Sequence, residues 1–268
     1  MFGPVHPQSV LMITLDSCRY DTFVSAAAPN LKGIGPLHRA MSPGSFTYAS
    51  HAAMFVGFTP GDASVNQPFI NPKFGKVFRM AGVGFPSRTA DHIILEGRNI
   101  IDGFKHKGYM TIGSGAVAWF DPSRPTSRAL TADFHEFFYG GEKGALASQL
   151  AFVESRMNAA GKNPVFVFLN VGETHVPYYH QGASWDAAIN PCLPFAQTND
   201  AAECRRRQKA CVEFADKLLG PLLEAFSRAT ILACADHGDC WGEDGLWEHG
   251  IHHPKVFEVP LLFRLARP

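Results

Sequence analysis

The sequence predicts an α/β protein, built as a layered α/β/α fold around a largely parallel central sheet. Short apolar segments rich in β-branched residues alternate along the chain with longer segments of helical periodicity, and this alternation is typical of strands joined by helices. Of the 268 residues, 46% are hydrophobic and 18% are charged, which is the composition of a globular protein. No linker divides the core, so we expect a single domain over residues 1–268.

The predicted strands are short apolar runs bounded by polar residues, glycine or proline. One of them ends directly before Asp16, and a later one ends before Asp236 and His237. The runs are Val10–Leu15, Tyr109–Ile112, Pro164–Asn170, Thr230–Ala235 and Val259–Phe263. Residues 58–92 and 177–200 are rich in Gly, Pro, Asn and Asp and predict long loops over the sheet edge, which are often functional.

The predicted helices carry small and apolar residues at spacings of three and four. Ser45 or Thr47 is expected near the N-cap of the helix that begins near Ala49. A kink is expected at Pro221 in the longest helix. The predicted helices are Pro29–His38, Ala49–Phe55, Ile93–Lys107, Lys143–Ala160 and Cys204–Ser227.

Charge and hydropathy argue against several classes of protein. The 24 Lys and Arg residues balance 24 Asp and Glu residues, which argues against a nucleic-acid partner bound through a general basic surface. No apolar run approaches the roughly 18 residues that span a membrane, so no membrane association is predicted. Met1–Gln8 carries no Lys or Arg, and the run Ser9–Leu15 is too short for most signal peptides. We therefore expect a cytoplasmic protein.

The six cysteines are scattered without a CxxC pair. In a cytoplasmic protein they are expected to be reduced thiols. If the protein is exported by another route, Cys192 could pair with Cys204 or with Cys211.

The residues that follow two of the strands are candidate metal ligands. Asp16 follows the first strand, and Asp236 and His237 follow the penultimate one. In open α/β sheets, ligands bind at the carboxyl ends of the strands, and carboxylate together with imidazole suits a divalent cation. The alternative is that Asp16 caps a helix and that the other two residues form a polar turn.

A hydroxyl-rich segment, SPGSFTYASHAAMFVGFTP, supplies a candidate nucleophile. Its hydroxyl residues lie where a helix begins, and helix N-termini favour anions. A free alcohol is a poor nucleophile at neutral pH, but a divalent cation that lowers the pKa of water from about 15.7 to about 7 should activate an alcohol similarly. Such an alkoxide could attack phosphorus or sulfur. The alternative is that Ser45, Thr47 and Ser50 only cap the helix.

Seven segments together carry a family resemblance. In chain order they are VLMITLDSCRYDTF, APNLKGI, FTYASHAAMFVGFTP, KHKGYMTIGSG, FVFLNVGETHVPYY, ADHGDCWGEDGLWEHG and VPLLFR. This series resembles the alkaline phosphatase superfamily, on the branch that contains sulfatases and phosphoethanolamine transferases. The segments match, in the same order, the first metal-binding strand, a TPNL-type helix, the nucleophile segment, the KxxGYxT segment, the strand before H-x-P-Y, the D-H-G-E segment and the V-P-L-I-x-R strand.

Carried over by position, the resemblance implies a set of site residues. It implies that one divalent metal is held by Asp16, Thr47, Asp236 and His237, and that Thr47 is the nucleophile. It also implies that His175 and His249 contact the transferred group or protonate the leaving group.

The resemblance leaves a second metal ion open. Its candidate ligands are Glu173, His249, His252 and His253, although the D-x-x-x-H pattern of two-zinc relatives is absent around His175. For His252 and His253 a place in a surface loop is the favoured interpretation.

Several departures from the sulfatase pattern favour the members that use threonine. Sulfatases place a cysteine matured to formylglycine at the position of Thr47, a second aspartate at that of Ser17 and an arginine at that of His51. The lysine and histidine that follow the GYxT strand in sulfatases are replaced here by Ser-Gly-Ala. The resemblance thus implies phosphate esters, phosphodiesters or phosphonates as substrates. Because the chain ends soon after VPLLFR, most of the usual C-terminal subdomain is expected to be absent.

Together these observations predict a metal-dependent hydrolase of phosphate mono- or diesters, or of phosphonate esters, acting through a covalent phosphothreonine. The alternatives are a soluble phospho-group transferase, a sulfate-ester hydrolase and a non-catalytic binding protein on the same fold. The expected cofactor is one divalent ion, zinc or manganese in preference to magnesium or calcium. The expected partner is a small phosphorylated molecule. The substrate, the leaving group and the oligomeric state stay open.

Overall fold

The computed structural model describes residues 2–57, 99–141, 144–194 and 198–266. Its strands are β1 (Val10–Leu15), β2 (His38–Met41), β3 (Met110–Gly115), β4 (Glu136–Tyr139), β5 (Val165–Val171), β6 (Thr230–Ala235), β7 (Cys240–Trp241), β8 (Trp247–Glu248) and β9 (Glu258–Arg264). Its helices are α1 (Tyr20–Ser25), α2 (Pro29–Lys32), α3 (Thr47–Val56), α4 (Ile100–His106), α5 (Arg128–Thr131), α6 (Leu146–Ala160), α7 (Ala201–Ala225) and α8 (Pro254–Phe257).

Within the described ranges, seven strands form one sheet in the order β2-β9-β6-β1-β5-β3-β4. The strands from β6 to β4 in this order are parallel, whereas β9 is antiparallel to both of its neighbours, β6 and β2. The short strands β7 and β8 pair as a separate antiparallel hairpin. The predicted α/β fold with a largely parallel central sheet is confirmed.

The sheet is covered on both faces, which explains why its central strands are apolar. Every residue of β5 is buried, as expected for a parallel strand with helices on both sides. Val167 and Leu169 share one core with residues of α6 and α7. On the opposite face, Phe166 and Phe168 share an aromatic core with residues of α3 and α4. The layers are therefore α/β/α, and β5 separates the two cores.

The predicted helix Pro29–His38 is wrong beyond Lys32, where α2 ends. Gly33 and Gly35 follow at once, and glycine is a poor helix former. His38 instead opens the edge strand β2, which pairs with β9.

Other predicted helices differ from the structure mainly at their first residues. The helix α4 begins at Ile100, and the predicted start at residues 93–98 lies outside the described residues. Lys143, the predicted start of α6, also lies outside them. The helix α7 starts before Cys204 because the Asp200 side chain caps it, and it continues through Pro221 to its end.

The strands that the sequence analysis missed are short. β2 and β4 are edge strands with half-buried or exposed residues, so they lack the apolar run that marks a central strand. β7 and β8 have two residues each.

The two predicted long loops are described to different extents. The loop predicted over residues 58–92 lies outside the described residues. The described part of residues 177–200 contains turns and bends but no helix or strand. Among the helices of the described ranges, none is long and apolar enough to cross a membrane.

Candidate metal centre

The carboxyl ends of β1 and β6 bring two acidic residues together. The strands pair in parallel with Leu15 opposite Ala235, so Asp16 and Asp236, which follow them, lie side by side at the edge of the sheet. Both side chains are fully buried. The structure thus places these two predicted site residues next to each other, although they come from opposite ends of the chain.

Thr47 lies in the first turn of α3 and faces this pair. Its Oγ1 is 3.4 Å from each carboxylate oxygen of Asp16 and 3.3 Å from Nε2 of His237. Thr47 is the first residue of the helix and directly follows the N-cap residue Phe46, whose side chain makes no cap hydrogen bond, so Thr47 lies near the N-cap as predicted.

Nε2 of His237 faces the same groups: it lies 3.3 Å from Oγ1 of Thr47, 3.7 Å from Asp16 and 3.6 Å from Asp236. Its Nδ1 lies 3.0 Å from the carbonyl oxygen of Gly238, so the Nδ1 proton is donated there and Nε2 keeps its lone pair. Burial, together with the charge of His249, holds the pKa of His237 well below its ordinary value. The imidazole is therefore neutral, which is the form that binds metals.

Asp236 is only partly compensated by hydrogen bonds. Its Oδ1 accepts bonds from the backbone N–H groups of Ser17 and His237, at 3.1 and 3.0 Å. Its Oδ2 has no hydrogen-bond partner among the described residues, although the atom is buried. Burial and the neighbouring Asp16 raise the pKa of Asp236 well above its ordinary value. The rings of His51 and His237 each lie 3.6 Å from Oδ2, but the lowered pKa of both imidazoles keeps them neutral.

This donor set fits a divalent cation. Ligand atoms of Asp16, Asp236 and His237 lie within 4.8 Å of one another, a span that metal–ligand bonds of about 2.0–2.3 Å can bridge. An unpaired buried carboxylate oxygen is costly, and a cation between these ligands would offset that cost.

A buried hydrogen-bonded chain supports the site from the sheet. Asn170 on β5 donates to Oδ2 of Asp16 at 3.0 Å and to Oγ1 of Thr14 at 3.3 Å. Thr14 Oγ1 lies 2.9 Å from Nε2 of His51, and Nδ1 of His51 lies 2.8 Å from the carbonyl oxygen of Thr47. Since Nδ1–H donates to that carbonyl, Nε2 accepts the Thr14 hydroxyl proton. The chain fixes both the Asp16 carboxylate and the first turn of α3.

Sequence reasoning missed this support. Thr14 and Asn170 lie directly opposite each other on neighbouring strands. The available signal was that each is a polar residue near the end of an otherwise apolar strand. His51 entered the sequence analysis only as a departure from the sulfatase arginine.

His175 and His249 lie beside the centre. The ring centroids of His249 and His237 are 4.4 Å apart, and those of His249 and His175 are 5.2 Å apart. Nδ1 of His249 lies 2.7 Å from a carboxylate oxygen of Asp239. Burial disfavours charge on His249, but the hydrogen bond with Asp239 and the negative charges of Asp239, Glu248 and Asp16 together raise the pKa of the imidazole.

The three other candidate ligands of a second metal lie elsewhere. Glu173 accepts a hydrogen bond from the N–H of Leu146 at the start of α6. His253 caps α8 by accepting from the N–H of Lys255, and His252 is exposed. Within the described ranges a second group of potential ligands does exist, formed by His237, Asp239 and His249. Of the residues predicted for a second metal, only His249 belongs to it.

Comparison with known proteins identifies the fold. No family model and no curated protein matches the sequence. The periplasmic domain of Escherichia coli EptC, solved in complex with zinc, matches with a TM-score of 0.65 and 11% identity over all of this chain and 78% of that chain. The corresponding domain of the Campylobacter jejuni phosphoethanolamine transferase EptC matches with a TM-score of 0.61 and 14% identity over 98% of this chain and 83% of that chain.

Two further proteins share the fold. Agrobacterium radiobacter phosphonate monoester hydrolase matches with a TM-score of 0.63 and 13% identity over 96% of this chain and 68% of that chain. A Vibrio parahaemolyticus protein of the alkaline phosphatase superfamily matches with a TM-score of 0.55 and 16% identity over 98% of this chain and 61% of that chain. The predicted resemblance to that superfamily is confirmed at the level of the fold.

The prediction of a cytoplasmic location is contradicted by these structures. The matching EptC domains from both organisms are periplasmic. The expectation of reduced thiols was based on the cytoplasmic location. It is no longer supported, because the redox state of cysteines follows the compartment. In the structure all six cysteines are free thiols, and all except Cys234 are buried.

Protonation of His51 should destabilise the protein. Burial lowers the pKa of His51 to about 4 from 6.5, so below about 6.5 the unfolded chain binds more protons than the folded one. The free energy of unfolding of the metal-free protein should therefore fall, by on the order of 3 kcal/mol from this group, as the pH drops from about 6.5 to about 4. Urea unfolding at a series of pH values measures this slope. His51→Gln, whose amide does not titrate, should show a smaller slope, and equal slopes would contradict the assignment.

Proposed function

We propose that the chain is a metal-dependent enzyme that hydrolyses a phosphate or phosphonate ester through a covalent bond to Thr47. The observation that carries this proposal is the location of the Thr47 hydroxyl, which lies 3.4 Å from the Asp16 carboxylate and 3.3 Å from Nε2 of His237. The fold supports it, since matching structures include a phosphoethanolamine transferase and a phosphonate monoester hydrolase.

Asp16, Thr47, Asp236 and His237 would hold the cation. Zinc is the first choice, because one structure of the same fold was solved with zinc, and manganese is the second choice on ligand chemistry. When bound, a divalent cation would lower the pKa of the Thr47 hydroxyl and offset negative charge on the phosphoryl oxygens.

The side chains around this centre can be given roles in the first half of the reaction. Thr47 Oγ1 attacks phosphorus, so an Oγ1–P bond forms and the bond from phosphorus to the leaving oxygen breaks. The positive N-terminal end of α3, where Thr47 lies, offsets negative charge on the phosphoryl oxygens. A histidine beside the centre, His175 or His249, gives a proton to the leaving oxygen.

The second half returns Thr47 to its starting state. Water attacks the phosphothreonine and breaks the Oγ1–P bond, while the deprotonated histidine accepts the proton of the water molecule. The same residue thus acts first as an acid and then as a base. In-line attack requires the leaving group, and later the water, to lie on the side of the phosphorus opposite Oγ1 of Thr47.

A group transferase is the second candidate function. It is favoured by the match to the phosphoethanolamine transferase EptC. In this case the hydroxyl of an acceptor molecule replaces water in the second half.

Sulfate-ester hydrolysis has less support, because Thr47 stands where sulfatases place formylglycine. A purely binding role also has less support, because the predicted metal ligands converge. For either enzyme we propose a periplasmic or extracellular location, in line with the matching domains.

Replacement of the nucleophile should abolish turnover. We expect Thr47→Ala to lower kcat for p-nitrophenyl phosphate, or for its methyl diester, by at least about 10³-fold, since removal of a nucleophile typically costs several orders of magnitude. Thr47→Ser, which keeps the hydroxyl, is the matched control and should retain more activity. Acid quench followed by mass spectrometry should find phosphate on residue 47 of the wild type. Near-normal turnover by Thr47→Ala would remove this residue from the proposed role.

Loss of a ligand should weaken metal binding. Asp236→Asn removes a charged donor of the centre, so we expect less zinc by elemental analysis after equilibrium dialysis, and a smaller rise in Tm when zinc is added. Asp186→Asn, at an exposed aspartate, is the matched control and should bind zinc as the wild type does. Unchanged zinc content in Asp236→Asn would count against the ligand set.

The fate of the transferred group distinguishes the two candidate functions. A hydrolase should release one phosphate for each leaving group without any added acceptor. A transferase should stop after one turnover and resume when an alcohol such as glycerol or glucose is supplied. Measuring the leaving group and the free phosphate in the same reaction separates these outcomes.

A further inference from the structure

A second buried hydrogen-bonded chain ends at His249. Nε1–H of Trp241 donates to the hydroxyl oxygen of Tyr178 at 2.8 Å, and the Tyr178 hydroxyl donates to Oδ2 of Asp239 at 2.7 Å. The other carboxylate oxygen, Oδ1, lies 2.7 Å from Nδ1 of His249. Tyr178 and Asp239 are fully buried and Trp241 is 3% exposed. The chain thus links the interior to one of the two histidines beside the metal centre.

Each member of this chain is fixed by further contacts. The backbone of Tyr178 has a left-handed φ of 57°, and its N–H and carbonyl groups bond to His175 and Trp185. The carbonyl oxygen of Asp239 accepts a bond from Nη1 of Arg19 at 3.2 Å. Both the backbone and the carboxylate of Asp239 are therefore held in place.

The arrangement distinguishes His249 from His175. Nδ1 of His249 is engaged by Asp239, which leaves Nε2 as the nitrogen that can meet a substrate. Nδ1 of His175 bonds to the carbonyl oxygen of the adjacent Val176, at 2.9 Å. Among the described residues no carboxylate holds the ring of His175, whereas His249 has a carboxylate partner that is buried and hydrogen-bonded at both oxygens.

We infer that Asp239, held by Tyr178 and Trp241, is a positioning residue that fixes the His249 ring for proton transfer to the leaving oxygen. The inference rests on the proposed function and deepens it, because it selects His249 over His175 for that step. In Tyr178→Phe the carboxylate loses one of its two fixed oxygens and can rotate. The ring of His249 then loses its defined orientation, while Thr47 and the metal ligands keep their contacts.

The dependence of the rate on the leaving group tests this inference. A good leaving group such as p-nitrophenolate departs without a proton, whereas an alkoxide needs one. We expect Tyr178→Phe to lower kcat for methyl phosphate by about 10-fold, and Asp239→Asn to lower it by about 10²-fold, a loss within the range that general acids contribute. Both variants should lower kcat for p-nitrophenyl phosphate by less than about 3-fold. KM and zinc content should stay near their wild-type values.

Tyr179→Phe is the matched control, because it makes the same chemical change one residue along, outside this hydrogen-bonded chain. It should behave as the wild type with both substrates. Equal losses for the two leaving groups would show a merely structural role, and no loss for either would show no role at all. A loss of zinc in Asp239→Asn that accounts for its lost activity would make Asp239 a metal ligand. Each of these results overturns the inference.

A second measurement does not depend on turnover. An imidazole N–H held by a buried carboxylate gives a proton resonance shifted far downfield in NMR spectra. We expect one such resonance in the wild type and in Tyr179→Phe, a shifted or broadened one in Tyr178→Phe, and none in Asp239→Asn. Its absence from the wild type would overturn the inference. The proposed function is tested separately by Thr47→Ala. If that variant keeps its activity, the proposed function fails, whatever the result for Tyr178 and Asp239.

Discussion

Two buried carboxylates held side by side impose the main constraint on this molecule. Asp16 and Asp236 follow neighbouring parallel strands and are both inaccessible to solvent, where like charges repel strongly. Backbone N–H groups and the amide of Asn170 compensate them in part. A bound cation would offset the negative charge of Asp16 and Asp236 that these hydrogen bonds leave uncompensated. Burial of two neighbouring carboxylates costs stability, and such strongly perturbed groups are common at functional sites.

The two sides of the centre are supported in different ways. On the Thr47 side, a chain of neutral groups, from Asn170 through Thr14 to His51, reaches the first turn of α3. On the His249 side, the chain ends in a carboxylate, Asp239, which can balance a positive charge. The neutral chain is sufficient to position the hydroxyl of Thr47. The Asp239 carboxylate, in contrast, can stabilise the protonated, positively charged form of His249.

The sequence predicted the parts of the site that depend on local pattern. Apolar runs with sharp polar ends defined β1 and β6 to the residue, and so located Asp16, Asp236 and His237. It could not predict Asn170 or Asp239 as supports, because their partners lie 154 positions away for the Asn170–Asp16 bond and 61 positions away for the Asp239–Tyr178 bond. The edge strand β2 was missed because exposed strands carry no apolar signal. The compartment was misjudged because the prediction used only the N-terminal residues and the apolar runs, whereas the correction came from the matching periplasmic domains.

The order of strands in the sheet has a consequence for how the centre is assembled. Asp236 receives its bond from the backbone of Ser17 across 219 positions of sequence, and β1 is flanked by β5 and β6. A folding intermediate that lacks β6 therefore has an open slot beside β1 and only part of the ligand set. The proposed ion could therefore meet its full ligand set only after β6 has paired with β1, so it would stabilise only those chains in which this pairing is complete.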